Sequence, residues 1–226
     1  MTVNDWVKTC QSEVPVPKEL ATPETVSELV QEAMAVIRQD LSRARVLAKV
    51  ALKLARRLKD PLSMGKAHRI HGHTHLLAGH SKSALRNYEA AWKCFAEAPI
   101  EQGNTAVTML QALAYLGQYE RAFEIGNQAI DVFLANGDEF RAARIRANLG
   151  NTLHRLDRLE EAKAEFEAAI PVLTAHQTHD DLAIVMRNFA VVLMGLQDYD
   201  AADALYSEAR RNATFRRNSD PNTFAW

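Results

Sequence analysis

The chain has 226 residues, 47% hydrophobic and 24% charged, with a formal net charge of −1. That balance is ordinary for a globular protein, and near-neutrality excludes a global field drawing the chain to nucleic acid or an anionic membrane. Nine glycines and seven prolines suit long helices joined by short turns.

Residues 1–22 read as an N-terminal extension or cap: they lack a clear period, and Pro15, Pro17 and Pro23 discourage helix. Thr22-Pro23-Glu24 then starts a helix, because Thr can cap, Pro suits the first turn and Glu favours the positive dipole end. From there Val26, Leu29, Val30, Ala33, Val36 and Ile37 recur at helical spacing. A second amphipathic run covers about 42–59 and stops at Asp60-Pro61. Helices are expected in pairs thereafter, over 62–78 and 81–97, 104–116 and 119–135, 138–155 and 158–174, 181–195 and 198–214. Turn signals between pairs fall at Ala98-Pro99, Asn136-Gly137-Asp138 and the polar stretch 175–181. Breaks inside pairs centre on Gly79, Gly117, Asp157 and Gln197. Such short breaks make each pair an antiparallel hairpin. The array spans 23–214, in units of about 23–60, 61–98, 99–137, 138–177 and 178–214, with a tail over 215–226.

A ladder of alanines gives the period. Ala44, Ala84, Ala122, Ala162 and Ala202 stand at steps of 40, 38, 40 and 40 residues. Seven residues after each comes another alanine: Ala51, Ala91, Ala129, Ala169 and Ala209. Four residues after each stand Ala48, Tyr88, Gly126, Phe166 and Tyr206. Residues four and seven apart share a helix face, so the alanines allow close approach and the aromatic between them fills the adjoining space. Twelve residues before an anchor the first helix carries Gly72, Gly150 or Ala190, small at the same crossing. Leu110 and Gly126 break the pattern in the middle unit and are expected to compensate, one larger where the other is smaller.

The stretch from Arg146 to Ile170, with Leu149-Gly150 and then Ala162, Phe166 and Ala169, resembles a tetratricopeptide repeat. Residues Ala112 to Ala122 are similar to the turn of the same family, and the resemblance extends over roughly 24–214, its first unit degenerate. The usual period is about 34 residues. This longer version resembles the repeats of spindle-orientation adaptors, kinesin light chains, and bacterial regulators or CHAT-protease fusions. The resemblance implies an all-α fold: a right-handed α-solenoid of about five antiparallel helical hairpins whose first helices line a concave groove. It places Lys66, Arg69 and His73 there from the second unit, and Asn104, Val107, Thr108 and Gln111 from the third. From the fourth come Arg144, Ala147, Asn148, Asn151 and Arg155, and from the fifth Ile184, Arg187, Asn188 and Val191. These residues include cations and carboxamides and no acid. Arg can hold a carboxylate through two charge-assisted bonds, and Asn can donate and accept to a peptide backbone at once. The expected function is therefore a protein-interaction scaffold holding an extended, acidic peptide. The family's habit of carrying an effector domain makes this the regulatory part of a larger protein in one version. The alternative is a ligand- or partner-sensing module of a nucleic-acid-linked transcriptional regulator.

Three local biases point elsewhere. His68, His71 and His75, with His73 and His80 nearby, carry metal-ligand spacing on a helix. The repeat alignment sets the three inside the hairpin, as partly buried structural histidines, and no metal or other cofactor is expected. Arg45, Lys49, Lys53 and Arg56 form a cationic stripe, which without interleaved aromatics reads as a solvated face rather than a nucleic-acid contact. Cys94 lies deep in an expected helix, where a thiol is inert, and no phosphate loop, zinc-protease motif or nucleophile elbow appears, so no enzyme is expected. Cys10 and Cys94 lack disulfide spacing and no run approaches the roughly 18 apolar residues of a membrane span. The N-terminus has no apolar signal region. A cytoplasmic protein with a protein partner and no membrane contact follows. The array ends, including Phe215, Phe224 and Trp226 of the tail, could cap the last pair, join further chain or mediate self-association.

Overall fold

A computed structural model of the chain describes residues 21–176 and 179–219. Among these residues every regular element is an α-helix: α1 Pro23–Val36, α2 Leu41–Leu58, α3 Pro61–Leu77, α4 Ser81–Cys94, α5 Pro99–Tyr115, α6 Tyr119–Ala135, α7 Glu139–Arg155, α8 Leu159–Ala175, α9 His179–Gly195 and α10 Tyr199–Ser219. They fall into two compact units divided after Gln118. In the first unit α1 packs on α2 and α3 on α4, and α3 also touches α1 and α5. In the second unit α7 packs on α8 and α9 on α10, and α9 also touches α7. Within each unit, then, the chain forms helical hairpins whose first helices are neighbours. Of the expected 99–137 unit, α5 falls in the first compact unit and α6 in the second. The expected N-terminal cap, Cys10, Phe224 and Trp226 lie outside the described residues.

The helix starts follow from capping chemistry. The Thr22 hydroxyl accepts the Thr25 amide at 3.2 Å, and the carboxylates of Asp40, Asp60 and Asp138 accept the amides of Arg43, Ser63 and Arg141 at 2.8–2.9 Å. Each such bond satisfies an amide that the first turn leaves without a helical partner. The four breaks expected inside pairs, at Gly79, Gly117, Asp157 and Gln197, all adopt left-handed backbone, with φ from 59° to 77°. That conformation stops a helix and turns the chain back. Gly79 and Gly117 adopt it without the steric cost that Asp157 and Gln197 bear.

Two boundaries differ by five residues from the sequence reading. Helix α5 begins at Pro99 rather than residue 104, because a proline at the first helical position costs no amide bond and its fixed φ is already helical. Helix α10 runs to Ser219, five residues past the expected tail boundary.

The alanine ladder is the packed seam. All five anchors and their partners seven residues on are at most 2% exposed. A Cβ added at Gly72 would lie 2.6 Å from Tyr88 Cε1, and one at Gly150 would lie 3.0 Å from Phe166. Each glycine therefore makes room for the fully buried aromatic sixteen residues later on the facing helix. Burying one such side chain contributes roughly 2–3 kcal/mol before conformational costs. The room at Gly126 is taken by Leu149, whose Cδ2 would lie 2.7 Å from an added Cβ.

Candidate functional site

In the second unit, α7 and α9 present a polar seam. Asn188 donates from Nδ2 to Asn151 Oδ1 at 2.9 Å, joining the two helices by their side chains. Around this bond lies a cavity of about 130 Å3, walled by Arg144, Ala147, Asn148 and Asn151 of α7, Leu173 of α8, and Ile184, Val185 and Asn188 of α9. Ala147 makes the space, and the buried Leu173 closes its floor. Arg144 is exposed, while Asn148, Asn151 and Asn188 are half-buried. The Arg144 guanidinium stands 5.9 Å over the Phe140 ring, which itself stacks on His176 at 4.9 Å. Cation–π contact of this kind restrains a flexible cation. The result is an oriented positive charge beside three carboxamides.

Four expected groove residues thus come together: Arg144, Asn148, Asn151 and Asn188. Arg187 and Arg155 are exposed but take no part in walling this cavity. The direct partner of Asn188 is Asn151, one turn beyond the Asn148 that the repeat register pairs with it.

In the first unit Arg69 is paired with an acid. Arg69 donates to Glu101 Oε2 at 2.5 Å and to the Glu101 carbonyl at 3.3 Å, with its guanidinium 5.3 Å over the Phe95 ring. Asn104 also bonds the Glu101 carboxylate. Burial pushes the Glu101 carboxyl up. The Arg69 charge, the bonds from Arg69 and Asn104, and the Lys66 charge outweigh it, and the group ends below the usual carboxylate range. The first-helix face therefore does hold an acid, contrary to the sequence reading. It is there because α5 starts at Pro99, which sets Glu101 on the same face as Asn104, three residues on. Lys66 donates to Ser27 Oγ at 3.4 Å. His73 turns toward α4, with Nδ1 3.4 Å from the Tyr88 hydroxyl. Gln111 is exposed and donates to the Tyr115 hydroxyl at 2.9 Å.

His68 and His71 line the α3–α4 contact. Asn87 Nδ2 donates to the Ser83 carbonyl, which orients its amide so that Oδ1 faces His68 Nδ1 at 3.1 Å and His71 Nδ1 at 3.2 Å. Because that oxygen only accepts, both rings donate through Nδ1. The His75 ring meets His71 edge-on at 4.7 Å, and His75 Nδ1 is buried with no hydrogen-bond partner. Burial lowers the pKa of His71 and His75; the Asn87 bond opposes this at His71, while His68, Lys49 and Arg56 around the first and His71, Arg45, His80 and Arg86 around the second lower them further. Among the described residues no group of three or more His, Cys, Asp or Glu is arranged to hold a metal ion. Burial also pushes the Cys94 thiol up, away from the reactive thiolate. The stripe on α2 exposes Lys49, Lys53 and Arg56, while Arg45 is half-buried beside His80 Nδ1 at 3.4 Å.

Residues 141–214, which hold most of the polar seam, match the tetratricopeptide repeat profile. No curated protein is a significant sequence match. Among solved structures, BtubC (BKLC) from P. vanneervenii superposes with a TM-score of 0.74 at 22% identity, over 96% of this chain and 93% of that one. The apo form of RapI gives 0.72 at 16% identity, over 85% of this chain and 72% of that one. A signal transduction ATPase with numerous domains from Pyrococcus horikoshii, described as having a tetratricopeptide repeat sensor, gives 0.71 at 16% identity. The match covers 93% of this chain and 32% of that protein. No helix of the described residues is long and apolar enough to cross a membrane.

Proposed function

We propose that this chain, which belongs to the tetratricopeptide repeat family, is a non-enzymatic interaction scaffold holding an extended acidic segment of a protein partner along α7 and α9. The observation that carries this reading is the Arg144–Asn148–Asn151–Asn188 cavity. Carboxamides that both donate and accept suit the unpaired backbone of an extended peptide, and an oriented arginine suits a carboxylate. Arg187 adds a second exposed cation beside Asn188.

The test is binding of a fluorescent acidic peptide and its lysine counterpart to the wild-type chain and to an Arg144→Glu, Arg187→Glu double variant. Both positions are exposed, so the variant should melt like the wild type. The reading expects acidic binding in the wild type, its loss in the variant, and no binding of the lysine peptide. Undiminished acidic binding in the variant would move the site elsewhere.

The Pyrococcus horikoshii protein favours one extension. Its repeats are described as a sensor within a chain three times as long as the matched part. On that reading the partner segment is a signal passed to an attached effector, cytoplasmic in location. A nucleic-acid-linked effector would show itself in DNA binding that falls steeply with salt.

A further inference from the structure

The first unit already holds a carboxylate among groups of the kind that the second unit offers. Arg69 of α3 stands 5.3 Å over the Phe95 ring, as Arg144 of α7 stands 5.9 Å over Phe140. Each has a carboxamide on the neighbouring first helix. Asn188 of α9 walls the cavity with Arg144, and Asn104 of α5 shares the Glu101 carboxylate with Arg69. In the first unit, then, the acid comes from the chain itself. The Arg69 and Glu101 side chains are 20% and 25% exposed, so the pair lies within reach of solvent rather than in the core. Arg69 stands fifteen residues before its anchor Ala84, and the residue fifteen before Ala162 is Ala147. At this repeat position the first unit has a cation paired with an acid, and the second has the small residue that opens the cavity.

We infer that Glu101 is a specificity-determining residue: its carboxylate occupies, from within the chain, a carboxylate site made by Arg69, Asn104 and Lys66, and so closes the first unit to acidic segments of a partner. This rests on the peptide-binding reading above, that an oriented arginine with carboxamides takes an acid, and it names the residue that decides which unit does so. Two effects keep a competing acid out. The folded chain holds Glu101 against Arg69 at an effective concentration on the order of millimolar or higher, which a dilute peptide cannot match. An incoming carboxylate also meets a like charge, because Glu101 stays ionised at neutral pH. The Lys66 charge acts on the same carboxylate. Without Glu101, two cations and a carboxamide would face the place it leaves, a strong draw for an external carboxylate.

Isothermal titration of the full chain with a nine-residue peptide of alternating Asp and Ser tests this. Wild type should bind one peptide, and Glu101→Ala should bind two. In the Arg144→Glu, Arg187→Glu background, adding Glu101→Ala should tighten binding by roughly tenfold or more, and adding Arg69→Gln as well should abolish that gain. A Glu101→Ala chain that melts cooperatively and still binds one peptide overturns the inference and leaves acidic binding by α7 and α9 intact. Binding gained by Glu101→Ala where wild type binds none supports the inference and overturns that reading. Binding by neither overturns both. Arg69→Gln alone serves if Glu101→Ala fails to fold. With Arg69 already paired to Glu101, its loss should leave the wild-type affinity unchanged, and a fall of roughly tenfold would show that Arg69 serves the partner instead.

Discussion

Asn188 bonds Asn151 across 2.9 Å, side chain to side chain, between two helices thirty-seven residues apart in the chain. Neither residue is fully buried. The bond therefore contributes little to stability, on the order of 1 kcal/mol, while it holds two carboxamides in fixed orientation beside Arg144. Asn188→Ala should lower the unfolding free energy by no more than about that amount, read by urea denaturation. It should weaken acidic-peptide binding by about tenfold or more. A loss of stability several times larger, with binding unchanged, would make Asn188 a structural residue only.

Gly72 is a packing device. Its added Cβ would meet the ring of fully buried Tyr88 at 2.6 Å, so the ring or the helix must shift. Gly72→Ala gains up to about 1 kcal/mol of helix propensity, against an overpacking cost of about 1–3 kcal/mol. A net destabilisation is expected, seen as a lower denaturation midpoint. A stabilised variant would mean that Tyr88 relaxes freely.

This seam was legible in the sequence, because glycine and aromatic stand at a constant separation in two units and each must answer the other's volume. The Arg69–Glu101 pair was not legible. It depends on α5 beginning at Pro99, and a proline after an alanine reads as a break until the structure shows it opening the helix. The register of Asn188 was legible to within one turn. Repeat spacing pairs it with Asn148, but side-chain reach decides the bond, and Asn151 takes it.

The Glu101 carboxylate is held below its usual range by Arg69 and Asn104 against the opposing effect of burial. A depressed folded-state pKa means stability present above the unfolded value of about 4.3 and lost as pH falls through the folded value. Glu101→Gln should cost on the order of 1 kcal/mol at neutral pH, with the gap from wild type closing in acid. A gap that persists at pH 3 would place the effect in packing rather than charge.

His71 and His75 titrate in the opposite chemical sense but with the same pH sign. Burial, then neighbouring cations and histidines, favours their neutral forms. Their contribution is complete above the unfolded value of about 6.5 and declines as pH falls toward and through their lowered folded values. The melting temperature should therefore drop between pH 7.5 and 5.5, and a His71→Gln, His75→Leu variant should drop less. Added zinc should leave the wild-type transition where it is. An upward shift with zinc would show instead that these rings hold a metal.

The central claim is the place of binding, and photo-crosslinking measures it most directly. An acidic peptide carrying a photoreactive phenylalanine, irradiated with the full chain and mapped by mass spectrometry, should crosslink within α7 and α9. Crosslinks confined to the cationic face of α2, around Lys49, Lys53 and Arg56, would contradict the account.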